Sequence, residues 1–523
     1  MTALTKQSFI KGTLILLAAG VVNRILGFVP RIALPRVIGP EGVGLYQLGY
    51  PFMIVIITLI SSGIPLAVAK LVAEAESNKD EKRIRSILTF SLGLTGLIAV
   101  VFMVLCAWAA PWITSHLLTD SRVYYTFVSM CPILPIVAVS AVYRGYFQGR
   151  QNMIPTAASQ VVETLVRIIA MLVFATLLLP YGVEWAAAGA MIGVVIGELF
   201  GMLVLLISVW RNKAGKKRLP PSQAGQSAST AGQASPFRPK QLLSIAIPVT
   251  ASRLAGSASY LLESIMIAQS LAVAGVATAL ATAQYGLLQG MVIPILTLPG
   301  ALTYSLSISL VPALSEAAAR QDMRMIHKRL HQSLRLALVT GAPFVVIMYV
   351  LAEPLCYFLY NNAEVGKMLK MMAPTALFLY FQSPLQAALQ ALNRPGTALT
   401  NTVIGAIVKL ALIAYLASRP QWGILGAVVA INVNIVLVTL LHYRSVTKIT
   451  GFRMRAVHYW KTASASAMMG LCTFAIMHQD WFGGQLVRFM SACATGGLVY
   501  LFAVFMLKLV DQNDLTRFRW SKK

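Results

Sequence analysis

In the stretch VVNRILGFVPRIALPRVIGP, residues 21–40, an otherwise apolar run carries Arg24, Arg31 and Arg36. On one α-helix Arg24, Gly27 and Arg31, at spacings of three and seven residues, share a face. A second apolar run repeats the arrangement with Arg253, Gly256 and Tyr260, and Glu263 follows one turn beyond. A guanidinium is a planar fork of donors that meets the oxygens of phosphate or pyrophosphate two at a time, a better match than a sugar hydroxyl. The competing role for Arg24 and Arg253 is a buried structural ion pair. Arg36, and to a lesser degree Arg31, sits near enough to the end of its run to snorkel toward water.

Three glutamates also fall inside apolar runs: Glu163, Glu198 and Glu263. Glu163 and Arg167 are one turn apart and can neutralise each other. Glu263 can pair with Arg253, or take a coupling cation or proton. Lys409, within a later run, is a candidate for the same polar interior or for snorkelling. Every aspartate falls between or beyond the runs, which argues against an aspartate proton relay. No Walker loop, G-x-S-x-G or H-E-x-x-H motif is present, so no catalytic residues are assigned and no enzyme is expected. The histidines lack ligand spacing; His327 and His331, four apart, accompany the basic run 320–329. The five cysteines have no C-x-x-C pattern, so neither a disulfide framework nor a metal site is expected.

The elements that must carry these residues follow from composition. The chain has 523 residues, 57% hydrophobic and 11% charged, with a mean hydropathy of +0.72. This is the composition of an integral membrane protein. Apolar runs of about 20 residues, the length that crosses a hydrocarbon core, recur from near 12–35 and 46–69 to near 457–477 and 487–508. They predict an all-α fold of about fourteen transmembrane helices. The N-terminal run has no cleavage site before a polar mature domain and reads as a retained first span. Loops rich in Lys and Arg alternate with loops nearly free of them. The basic set includes Lys79, Lys82, Arg83 and Arg85; Arg144 and Arg150; and Arg320, Arg324, Lys328 and Arg329. By the positive-inside rule the basic loops and both termini are cytoplasmic, in a multi-pass protein of the cell membrane. The net charge of +26 is then largely a topology signal, and a nucleic-acid partner is not expected.

The polar stretch 211–240 has linker composition. It divides a lobe of six spans, 1–210, from a second lobe, 241–523, which adds two extra C-terminal spans. Motifs recur across the divide in one order. Met130-Cys-Pro132, Gln148 and Arg167 match Met372-Ala-Pro374, Gln390 and Lys409, and Arg24 to Gly27 matches Arg253 to Gly256. Because each lobe holds an even number of spans, the repeats run in the same direction. Two parallel lobes imply a cavity between them. Pro132, Pro135, Pro248, Pro294, Pro299, Pro374 and Pro384 interrupt apolar helices and allow bends.

The segment FIKGTLILLAAGVVNRILGFVPRIALPRVIGPEGVGLYQLGYP, with SSGIPLAVAKLVAEA, RLAGSASYLLESIMIAQSL and LVPALSEAAARQD, resembles the stage V sporulation protein B family. That family lies in the multidrug/oligosaccharidyl-lipid/polysaccharide exporter superfamily, alongside the MurJ lipid II flippases. The Arg24, Gly27, Phe28 and Arg31 core is similar to the pattern whose arginines line the MurJ central cavity. The resemblance implies a flippase of two pseudo-symmetric lobes. Its substrate would be an undecaprenyl-pyrophosphate-linked peptidoglycan precursor such as lipid II, moved to the outer leaflet for spore cortex synthesis. Cortex-synthesis enzymes are candidate partners beside the lipid bilayer itself. No cofactor is implied, and energy would come from the membrane potential, a monovalent cation or the substrate gradient. Export of another lipid-linked polysaccharide unit, cation-coupled drug efflux and a membrane scaffold are the competing readings.

Overall fold

The computed structural model describes residues 9–217, 237–479 and 483–509. The central part of the expected linker, 218–236, lies outside the described residues. The described chain is mostly helical and contains no strand, as a bilayer demands of a spanning chain that must satisfy its own backbone.

Nineteen α-helices follow one another: α1 Phe9–Leu26, α2 Val29–Ser61, α3 Ile64–Ser77, α4 Glu81–Trp112, α5 Val123–Met130, α6 Ile133–Gly149, α7 Ile154–Leu178, α8 Val183–Lys217, α9 Pro239–Val273, α10 Thr278–Tyr285, α11 Ile293–Thr297, α12 Gly300–Ala319, α13 Met323–Val350, α14 Ala352–Tyr360, α15 Val365–Ala391, α16 Pro395–Leu412, α17 Ile424–Thr450, α18 Ala456–His478 and α19 Gln485–Met506. Ten stretches of the described chain are long and apolar enough to cross a bilayer. One of them, Ala18–Ser77, has 60 residues. It leaves helical geometry at Gly39, where φ is 68° and ψ 178°, and so supplies two passages. With α9, α15 and α18, each longer than a crossing requires, the count reaches about fourteen. Large side chains such as Trp108, 81% exposed, cover the outside, as acyl chains allow.

Several breaks depart from the expected spans. The first span is interrupted at Gly27–Phe28, because Pro30 has no N–H to continue the ladder. Arg24 and Arg31 therefore flank a tightened turn and do not share one unbroken helix. The second span breaks at Ser62–Gly63, between α2 and α3. Among the prolines, Pro132 and Pro299 sit at breaks, whereas Pro248, Pro374 and Pro384 lie inside continuous helices.

The described chain forms two compact units. One runs up to Ala272 and includes Ala277–Gly286; the other comprises Val273–Val276 and the described residues from Leu287. The seventh span, α9, which the repeat boundary assigns to the C-terminal half, packs with the first unit.

In the first unit α8 lies against α7 along Gly189, Gly193, Gly197 and Gly201, one per turn. A Cβ at Gly193 would stand 2.2 Å from Met171 N. Such a stripe of small residues lets two helices approach to backbone contact. In the second unit α12, α13, α15, α16 and α17 share a core around Leu334, Leu338, Leu385 and Val446. The hairpin α18–α19 packs on α13 through Ala465, Met469 and Tyr500, whose Oη donates to Val339 O at 2.8 Å. The units carry one backbone signature in common. Left-handed residues Lys79, Thr119 and Gln151 in the first recur at constant spacing as Gln321, Asn361 and Asn393 in the second.

Candidate functional site

The helix α9 is unbroken, so Arg253, Gly256, Tyr260 and Glu263 keep their spacing along it. Arg253 is exposed and its Nη1 donates to Ser62 O at 3.4 Å, at the break between α2 and α3. At that break Gly63 N donates to Thr250 Oγ1 at 3.1 Å. A Cβ on Gly63 would fall 2.1 Å from Ala246 O, so only glycine lets α9 lie this close. Gly256 faces open space. Glu263 is 8% exposed and about 15 Å of helix rise from Arg253.

Arg24, near the end of α1, is exposed, and Gly27 forms the turn that follows it. Arg31 is exposed too and makes no ion pair among the described residues; its charge acts on the phenols of Tyr46 and Tyr260. Tyr46 stacks beside Tyr50, with ring centroids 6.1 Å apart and planes 17° from parallel. Arg36 lies exposed three residues before the Gly39 turn.

Three other first-unit arginines, Arg144, Arg150 and Arg167, are paired with carboxylates. Arg144 Nη2 donates to Glu163 Oε2 at 2.9 Å and to Glu198 Oε1 at 3.2 Å, and Arg167 Nη1 reaches Glu163 Oε1 at 3.2 Å. Arg144 thus corrects the reading of it as a loop cation. It lies inside α6, and the α7–α8 glycine stripe draws both glutamates onto it, Gly197 and Gly201 receiving Arg167 and Glu163 directly. Arg150, counted with it as a loop cation, is buried, its Nη2 2.7 Å from Glu81 Oε2 and its Nε 3.6 Å from Glu76 Oε2. These pairs, with Lys79, Lys82, Arg83 and Arg85 close by in sequence, mark one end of the unit as basic.

The other end is tied across helices. Asp120, 2% exposed, accepts from Thr282 Oγ1 on α10 at 2.7 Å, and from Arg122 Nη2 at 2.9 Å and Nε at 3.1 Å. Arg122 also pairs with Glu41, just past the Gly39 turn. The hydrogen bonds to Asp120, chiefly, hold the Arg122 guanidinium above its ordinary range. Beside this network α2 and α10 touch backbone to backbone. A Cβ at Gly44 would stand 2.0 Å from Thr282 O, and one at Gly286 2.1 Å from Pro40 O. Gln269 Nε2, near the end of α9, donates to His116 O at 2.7 Å.

In the second unit Lys409 is 7% exposed on α16. It recurs after Arg167 at the same interval that relates Gln151 to Asn393. Among the described residues no group of three His, Cys, Asp or Glu is gathered to hold a metal.

Sequence reading thus missed Glu198 as a partner of Arg144, the tyrosine pair and the buried Asp120. The four-residue glycine spacing on α8 is the signal that marks the first. The i, i+4 spacing of Tyr46 and Tyr50 marks the second. Nothing local marks Asp120, whose burial depends on Thr282, 162 residues away.

An all-α arrangement of about fourteen spans, with arginines inside its helices and helices that close on one another at glycines, defines a multi-pass membrane protein. Residues 9–318 match the family described as "Polysaccharide biosynthesis protein", and 257–416 match the MatE family. The chain belongs to the polysaccharide biosynthesis protein family, within the exporter superfamily that also holds MatE proteins, and is a transporter and not an enzyme. It is 42% identical to stage V sporulation protein B of Bacillus subtilis strain 168 over 518 residues, 98% of each chain. It is 26% identical to the lipid II flippase MurJ of the same organism over 97% of this chain and 96% of that one. A solved structure of MurJ in an inward closed conformation superposes with a TM-score of 0.70 at 16% identity. It covers 96% of this chain and 100% of that one.

Proposed function

We propose that the protein is a flippase that carries a polyprenyl-pyrophosphate-linked peptidoglycan precursor, probed best as lipid II, from the cytoplasmic to the outer leaflet for spore cortex synthesis. One observation carries the reading. The first unit neutralises Arg144, Arg150 and Arg167 with carboxylates, whereas exposed Arg31 has no ion pair among the described residues and exposed Arg253 donates to a backbone carbonyl. Guanidinium groups that meet no carboxylate, as at Arg31 in the first turn of α2 and Arg253 midway along α9, suit a visiting anion, since an uncompensated charge in hydrocarbon costs several kcal/mol or more. Arg24, Arg31 and Arg253 then bind the pyrophosphate while the lipid tail stays in the bilayer.

Alternating access fits the two ends. Nearer the basic end, α9 closes on the α2–α3 break through Gly63, Thr250 and Arg253. At the far end α10 closes on α2 through Gly44, Gly286 and Asp120–Thr282. Releasing one set at a time would open the site to one leaflet at a time. The orientation rests on the basic loops, which the positive-inside rule assigns to the cytoplasm. Glu163 with Arg167, Glu263 and Lys409 are the candidates for coupling to the membrane potential or a monovalent cation.

The test is leaflet-resolved detection of lipid II in vesicles containing the protein. Arg24→Ala and Arg253→Ala, at normal membrane abundance, should each abolish transfer. Transfer at the parent rate in both would remove the site.

A further inference from the structure

The arginines account for binding a pyrophosphate, but not for the aromatic level beside them. Tyr46 and Tyr50 occupy neighbouring turns of α2 with ring planes only 17° apart. Tyr260 of α9 stands within electrostatic reach of both, and Arg31 of Tyr46 and Tyr260. All three tyrosines are half-buried. Leucine or phenylalanine would fill the same helix faces without desolvating a hydroxyl, so three phenols at one level point to a polar partner with an apolar face.

The order along α9 adds a direction. Tyr260 lies seven residues past Arg253, on the same face and about 10 Å further on. That is roughly the reach of a pyrophosphate carrying one pyranose ring. A headgroup held by its phosphates at Arg253 would bring its first sugar to the tyrosines. A pyranose presents a face of C–H bonds, suited to aromatic rings, and a rim of hydroxyls, suited to phenols.

We propose that Tyr46, Tyr50 and Tyr260, with Arg31 at their edge, form a saccharide-reading level that separates a glycosylated lipid pyrophosphate from the bare one. The inference rests on the anion-binding reading above and deepens it. The arginines hold what both lipids share, and the tyrosines respond to what only one of them has. Bare carrier would then compete poorly for the site.

The test uses the full-length protein in nanodiscs and two probes: undecaprenyl pyrophosphate, and the same lipid bearing one N-acetylglucosamine. The parent should bind the glycosylated probe about 10-fold more tightly, the scale of one or two good aromatic contacts. Tyr46→Leu and Tyr50→Leu should bring that ratio close to one while leaving affinity for the bare lipid within about twofold. Tyr50→Phe, which keeps the ring, should retain part of the preference. Equal affinity of the parent for both probes would overturn the proposal, as would leucine variants that weaken both probes by one factor. Failure of the parent to bind either probe would overturn the anion-binding reading itself, a different result from loss of discrimination.

Discussion

Replacing Thr282 with valine should unlatch the end of the first unit opposite its basic loops. The hydroxyl donates to Asp120 across 2.7 Å, and the two residues are only 3% and 2% exposed, so water cannot substitute for the lost partner. Valine keeps the branched shape against Gly44 and leaves Asp120 bonded to Arg122, which confines the change to one bond between α10 and the 118–122 turn. A hydrogen bond to a charged acceptor is worth about 1.5–3 kcal/mol. If it exists only when this end is shut, the closed-to-open ratio falls by about 10- to 150-fold, at 1.36 kcal/mol per factor of ten. The assay is the rate at which a membrane-impermeant maleimide, added opposite the termini, labels a cysteine at Ala258, a half-buried residue near the middle of α9. Of the native cysteines only Cys472 and Cys493 are not buried, so these two are changed to serine. While the open state is rare, labelling rises in proportion to its population, and Thr282→Val should accelerate it about 10-fold or more. Asp120→Asn, which also weakens the hold on Arg122, should do at least as much. A labelling rate within twofold of the parent in both variants would refute the latch.

The opposite closure answers to a different substitution. Gly63→Ala puts a methyl 2.1 Å from Ala246 O and must push α9 from the α2–α3 break. Overpacking of this kind costs about 1–3 kcal/mol, so the cysteine at 258 should label faster from the basic face, and an unchanged rate there would count against this closure. Arg144→Met leaves Glu198 without its cation, beside a Glu163 held only by Arg167, and should cost about 3–5 kcal/mol in thermal or denaturant unfolding. Adding Glu198→Gln to Arg144→Met, which leaves Glu163 paired with Arg167, should recover most of that loss, and no recovery would mean that Arg144 acts by packing rather than charge. Gly193→Leu, which drives a side chain into Met171 N, should prevent α7 and α8 from docking, read as loss of folded protein in detergent.

The membrane class, the all-α fold and the placement of most spans were legible in the sequence. Hydropathy is a local property, imposed by a solvent that tolerates only self-satisfied helices. The repeat was legible for a related reason: motifs kept their order, and the backbone keeps it too in the left-handed residues at 79, 119 and 151 and at 321, 361 and 393. The arginine face of α9 survived because one unbroken helix carries it, whereas that of the first span is interrupted where Pro30 leaves a carbonyl without its donor. Which charges are spent on structure was decided only by tertiary packing. Arg144 looks like a loop cation until helices 19 and 54 residues away in sequence bring Glu163 and Glu198 to it. Asp120 looks like a loop acid until α10 covers it. Residue spacing reports neighbours on one helix, but the cost of a charge depends on everything around it, and only the folded chain brings those partners together.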